Sequence, residues 1–329
     1  MTLKNKLVVS ASPHNRSPKT VTGIMLDVII ALMPAFIASV YYFGPRALLI
    51  ECISVGTCVI FEAFSRVVMK RPQTVGDLSA VVTGLLLAFN LPPSIPLWMV
   101  VIGAAVAIIV VKQFFGGIGQ NFVNPALAGR IVLLASFPTA MSAWTKAGSW
   151  KTEGLDGITS ASPLADIHNM MKGGAAPDVS LMDMFLGNRA GCLGETCVAA
   201  LLIGGIYLVA RKVIKPTIPL AYIGTVAVIM FIASGSITVT AYEILGGGLM
   251  LGAIFMATDY TTSPITFKGK IIFGIGCGLI TSLIRIFGNL PEGVSYSIII
   301  MNILVPLIEN VTLPKPFGTP KKAKEADEK

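Results

Sequence analysis

Apolar and polar positions fall along this chain in long blocks rather than in the short alternation of a soluble helix or strand. Predominantly apolar stretches of 17 to 24 residues recur between brief polar breaks, and a bilayer core about 30 Å thick takes roughly 20 helical residues to cross. The pattern predicts spans near 23–43, 46–68, 77–91, 96–112 and 121–138, then near 194–210, 217–235, 240–258, 270–287 and 294–311. One long polar stretch, 139–193, rich in Gly, Ser, Asp and Lys, separates the two groups. The expected fold class is all-α integral membrane, with about ten transmembrane helices. Five spans on either side of the loop suggest two inverted five-helix repeats, because an odd number per half turns the second half over in the membrane. The expected organisation is an N-terminal segment 1–22, a first repeat 23–138, a loop 139–193, a second repeat 194–311 and a tail 312–329.

Some spans read as short or broken. The run from Gly84 to Asn90 meets Pro92 and Pro93, and the run from Gly248 to Ala253 leads through Ala257 and Asp259 to Pro264. Both stop in polar and proline residues before the far face. Asn121-Phe-Val-Asn124-Pro125 is a similar interruption at the start of the fifth span.

Composition agrees with the pattern. Charged residues are 13% of the chain and hydrophobic ones 54%, whereas soluble domains are about a quarter charged. The net charge of +8 does not point to nucleic acid, because the basic residues cluster beside apolar runs as they do in cytoplasmic loops. A cytoplasmic N-terminus places Lys4, Lys6, Arg16, Lys19, Arg66, Lys70, Arg71, Lys112, Arg211, Lys212, Lys215, Lys268, Lys270 and the tail lysines inside, 18 of the 25 basic residues. The same threading puts both termini in the cytoplasm and the 139–193 loop outside. No cleavable signal is expected in the first 19 residues, so the first span would act as the insertion signal.

The five cysteines show no CxxC spacing and read as small buried hydrophobes, with a Cys192–Cys197 disulfide the one alternative left open. His14 and His168 both lie outside the spans, which removes the axial pair a membrane haem needs. Gly116-Gly-Ile-Gly119, Gly246-Gly-Gly248 and Gly274-Ile-Gly-Cys-Gly278 lack the strand that precedes a dinucleotide fingerprint, and Gly274 and Gly278, four apart, suit close helix packing. Asp27, Glu51, Glu62, Asp77, Glu243, Asp259 and Glu309 fall in or at the edge of spans, where a carboxylate is a functional candidate. Asp259, at the end of a broken span, is the sharpest candidate for an ion path, and Arg130 and Arg285 are candidate counter-charges.

The loop contains Asp156-Gly-Ile-Thr159-Ser160-Ala-Ser162-Pro163. Physically it is a turn-prone hydroxyl cluster, with Pro163 favouring an extended Ser162 whose hydroxyl is presented. The pattern Asp-x-x-Ser/Thr-small-Ala-Ser/Thr also resembles the sequence at which a flavin transferase joins FMN to a hydroxyl by a phosphoester bond. The resemblance extends through Ser12-Pro13-His14-Asn15, Met25-Leu26, Ala31-Leu32-Met33-Pro34, the segment from Gly119 to Arg130, and Phe255-Met-Ala-Thr-Asp259. Together these blocks resemble the D-type membrane subunit of the Rnf complex, which is similar to the B-type subunit of the sodium-translocating NADH:quinone reductase.

The resemblance implies a subunit of an ion-translocating ferredoxin:NAD oxidoreductase in the bacterial plasma (inner) membrane, inactive alone. It implies covalent FMN on Ser162, where many relatives have Thr, with Thr159 and Ser160 as neighbouring hydroxyls and Asp156 as a recognition residue for the transferase. It also implies a second, non-covalent flavin such as riboflavin, partner subunits that bind the soluble substrates, and Na⁺ or H⁺ as the ion moved. The rival expectation is a channel or transporter for a small polar solute without redox chemistry, which inverted repeats would also suit.

Overall fold

The computed structural model describes residues 19–151, 179–288 and 292–314, together with 159–160, 164, 166–167 and 170. The chain is an all-α membrane protein. Its long helices are α1 (Val21–Phe43), α2 (Pro45–Val68), α9 (Thr217–Ser234), α12 (Phe267–Phe287) and α13 (Val294–Thr312). These five are long and apolar enough to cross a membrane, and a sixth span results if α10 (Ile237–Leu245) and α11 (Leu249–Met256) count as one. Four shorter apolar helices complete the set: α3 (Ser79–Phe89), α4 (Leu97–Gln113), α5 (Pro125–Ser136) and α8 (Val198–Ala210). Small pieces α6 (Pro138–Met141) and α7 (Leu181–Leu186) and a two-strand pairing of β1 (Trp144–Thr145) with β2 (Thr159–Ser160) belong to the loop. Each of the ten predicted apolar runs thus contains helix, four of them as shorter helices of 10 to 17 residues.

Local sequence sets the helix ends. Thr20 caps α1 by accepting from Gly23 N, and Thr266 caps α12 by accepting from Gly269 N. Asn124 accepts from Ala126 N and Leu127 N, and Pro125 occupies the first position of α5, where its missing N–H costs nothing. Gly44, at φ +74°, turns α1 into α2. Apolar side chains face outward as well as inward: Leu26, Ile30, Ile37 and Tyr41 of α1 are all exposed, which suits lipid and not water.

The predicted glycine packing is present. A Cβ on Gly274 would lie 2.7 Å from Ala221 Cβ, and one on Gly278 would lie 2.6 Å from Thr225 Cβ, so these glycines seat α12 against α9. The eighth run, read as short or broken where it leads through Asp259 to Pro264, is broken earlier, and α10 and α11 meet at 65°. The break is the Gly246-Gly-Gly248 run, whose Gly247 has φ +61°.

Non-helical backbone inside an apolar bundle must find partners, and two breaks supply each other's. After α3, the carbonyls of Phe89 and Leu91 accept from Gly194 N and Leu193 N just before α8. Gly194 is required there, since a Cβ would approach Phe89 Cγ to 2.2 Å.

Candidate functional site

Two polar regions occupy the interior. The first lies at the end of the bundle that carries Lys70, Arg71, Arg211 and Lys212. It is a cavity of about 280 Å³ walled by α1, the start of α3, the end of α4 and the turns before α5 and after α11. Its walls are mainly apolar, including Ile24, Val28, Leu86 and Phe255, with a polar set of Lys112, Asn121, Asn124 and Asp259.

Each polar group is held by the element behind it. Lys112 ends α4, and its Nζ donates to Glu62 Oε2 at 2.9 Å and Ser79 Oγ at 2.6 Å. Glu62 Oε1 also accepts from Gln113 Nε2 and Thr74 Oγ1, both at 3.0 Å. Asn124, besides capping α5, donates to Met256 O across to the second half, while its own N–H donates to Asn302 Oδ1. Asp259, in the turn after α11, accepts from Thr261 N and Thr262 Oγ1. Burial pushes its carboxyl above the usual range, and those hydrogen bonds, with Asn121 and Lys112, oppose the rise.

The second region lies toward the loop. Arg130 of α5 donates to Asn90 Oδ1 at 2.9 Å, to Ser295 Oγ at 3.0 Å and to Glu292. Cys192, Glu195 and Glu292 bring ligand-type atoms within 4.8 Å of one another. The Arg130 guanidinium is already among them and supplies the positive charge, so the cluster reads as an arginine clamp. Nearby, Arg285 Nη1 donates to Glu243 Oε2 at 2.9 Å and to Glu243 O, and Nη2 donates to Gly246 O. Arg189 donates to the carbonyls of Glu195 and Thr196.

The charged residues expected in or near spans find specific partners. Arg285 pairs with Glu243 as a counter-charge, and Arg130 is neutralised by Glu292, which no sequence pattern singles out. Asp27 faces Arg211 and Tyr207. Glu51 is fully buried on Ser39 Oγ at 2.5 Å. The cysteines are all free, so the Cys192–Cys197 disulfide is not formed. Cys192 turns inward, its thiol donating to Asn90 O, while Cys197 precedes α8 under Gly187. Asp156 and Ser162 lie outside the described residues. Thr159 and Ser160 form β2, with Thr159 opposite Thr145 and Ser160 opposite Trp144.

Sequence reasoning misses Lys112, Asn90 and Glu195 as interior groups. Lys112 and Glu62 sit in different apolar runs, so no spacing rule joins them. Asn90 and Asn124 do carry a signal, since each stands at a break.

Similarity to known proteins bears on what these two regions serve. The model of a family described as "NQR2, RnfD, RnfE family" matches residues 8–318. The D subunit of the Na⁺-translocating ferredoxin:NAD⁺ oxidoreductase complex of Acetobacterium woodii is 47% identical over 323 residues, covering 97% of this chain and 98% of that one. The D subunit of the proton-translocating ferredoxin:NAD⁺ oxidoreductase complex of Clostridium ljungdahlii is 42% identical, covering 96% and 97%. The D subunit of an ion-translocating oxidoreductase complex from Haemophilus influenzae is 35% identical over 359 residues, covering 96% and 99%. With both the family model and these relatives matched along nearly its full length, the chain belongs to the NQR2, RnfD, RnfE family.

Proposed function

We propose that this chain is the D-type membrane flavoprotein subunit of an ion-translocating ferredoxin:NAD⁺ oxidoreductase complex, carrying FMN on Ser162 and moving Na⁺ or H⁺ in concert with partner subunits. The observation that carries the reading is the near full-length similarity to D subunits of such complexes in a chain that also contains the Asp156 to Ser162 attachment pattern. Bound flavin would supply electron transfer, and the protein supplies position and electrostatics. The basic end of the bundle is the cytoplasmic end, and the loop with Ser162 faces outward, where the flavin transferase would act.

The cavity suits the second, non-covalent flavin. Apolar walls from α1, α3 and Phe255 can enclose a flat ring system, while Asn121 and Asn124 offer donors and acceptors at its polar edge. Lys112, paired with Glu62 and held by Ser79, sets an N–H donor at the wall, which would hydrogen-bond an acceptor atom of a bound ring. Asp259 at the same wall is the group that can take up a proton or contact a cation.

The test is chemical. The chain is purified from cells with an active flavin transferase, denatured and examined for a fluorescent band whose FMN mass maps to the peptide containing Ser162. Ser162→Ala should darken the band, with Thr159→Ala still bright. A dark band from the parent chain would defeat the covalent reading. Uptake of labelled Na⁺ into vesicles holding the whole complex identifies the ion.

A further inference from the structure

Glu62, Glu243 and Asp27 each face a cation, but Glu51 does not. It lies in α2, about 9 Å along the helix axis from Pro45, and its side chain is fully buried. Its Oε2 has no hydrogen-bond partner among the described residues. The charged groups on the elements packed against α2 are engaged elsewhere. α3 has no charged residue, Lys112 of α4 is paired with Glu62, and Asp77, in the turn before α3, accepts from Ser79. On α1, Asp27 faces Arg211, Tyr42 donates to Leu186 O and Tyr41 is exposed. On α2 itself, Arg46 donates to the carbonyls of Pro93, Ser94 and Ile95, and Arg66 to Gly116 O.

The contact that Glu51 does make is informative. Its Oε1 stands 2.5 Å from Ser39 Oγ, and Ser39 Oγ stands 2.8 Å from Phe36 O. A serine hydroxyl has one proton, so it cannot serve both acceptors fully. An ionised Glu51 would take that proton and still leave Oε2 a buried anion without a donor, which is costly inside a membrane. A protonated Glu51 completes the set instead: its O–H donates to Ser39 Oγ, Ser39 donates to Phe36 O, and Oε2 is a neutral carbonyl oxygen. The same face of α2 carries Ser54, Cys58 and Glu62, all fully buried. Glu51 is thus one end of a polar face whose other end, about 16 Å along the axis, is the Glu62–Lys112 pair beside the cavity.

We propose that Glu51 and Ser39 form a proton-binding site inside the membrane, and that the complex unloads and reloads this proton as it moves its ion. The second clause rests on the reading that the chain serves an ion-translocating complex. Release passes the carboxyl proton to water and leaves a carboxylate that takes the Ser39 proton as its hydrogen bond. No electron is gained or lost at the site.

The experiment is infrared difference spectroscopy on the whole complex, with glutamate isotope-labelled at the side-chain carboxyl so that its bands separate from those of aspartate. At neutral pH the parent should show a labelled carboxylic-acid C=O band that Glu51→Gln removes, while the buried Cys277 still resists thiol labelling. Ser39→Ala should move the band, because the acid loses its acceptor. In heavy water the band of the resting complex should hold its position, and turnover with reduced ferredoxin and NAD⁺ should shift it as the proton is replaced. A parent without any labelled acid band overturns the proposal before a variant is made. A band that Glu51→Gln leaves in place overturns it too, as does a response to heavy water that is the same at rest and in turnover. A complex that moves neither Na⁺ nor H⁺ is a different outcome: it removes the reading beneath the exchange, and the acid band still decides the site.

Discussion

The Glu62–Lys112 pair allows a quantitative test of how the interior is held. Both side chains are almost wholly buried and 2.9 Å apart. Lys112→Met would leave the carboxylate of Glu62 with two neutral donors, Gln113 Nε2 and Thr74 Oγ1. Removing one partner of a buried pair costs about 3–5 kcal/mol, and the surviving donors place this case near ~3 kcal/mol. Glu62→Gln should cost a similar amount, because Lys112 keeps only Ser79 Oγ. Removing both charges leaves no uncompensated ion, so the double variant should be destabilised far less than the sum. The expected coupling is about 2–3 kcal/mol. The assay is labelling of the buried thiols Cys58, Cys192 and Cys277 with a maleimide dye under graded denaturant, after exposed Cys52 has been blocked. Losses in the two single variants that simply add in the double would refute the argument, since the pair would then act as two independent groups.

Two further outcomes follow from other positions. Gly204→Ala should cost about 1–3 kcal/mol in the same assay, because its Cβ would lie 2.1 Å from Ala31 O, a backbone atom of α1 that cannot step aside. Gly224→Ala, with nothing within 4 Å, is the neutral control. Asp259 has a raised carboxyl in the folded chain, so the fold keeps that proton to higher pH than the unfolded chain does. Its contribution is complete below the ordinary carboxyl range and is lost as pH rises through the shifted value. Asp259→Asn should flatten that part of the stability profile measured by thiol labelling; an unchanged slope would exclude Asp259 as its source.

The sequence alone determined that this is a helical membrane protein, because whether a run is long and apolar enough for lipid is a local property. The packing glycines Gly274 and Gly278 were equally local and readable. So were the interruptions at Asn90 and Asn124, where polar and proline residues cannot continue an apolar helix. Tertiary structure decided which groups share the interior. The Glu62–Lys112 and Arg130–Glu292 pairs join residues 50 and 162 positions apart, and no periodicity within a run relates them. It also supplied the partners that let the third run end and the sixth begin at breaks, since the carbonyls of Phe89 and Leu91 are satisfied by Gly194 N and Leu193 N. The role of Gly246 and Gly247 was hidden for the same reason. Nothing in three adjacent glycines tells that a leucine 82 or 83 residues earlier, Leu164, will fill the space their missing side chains leave.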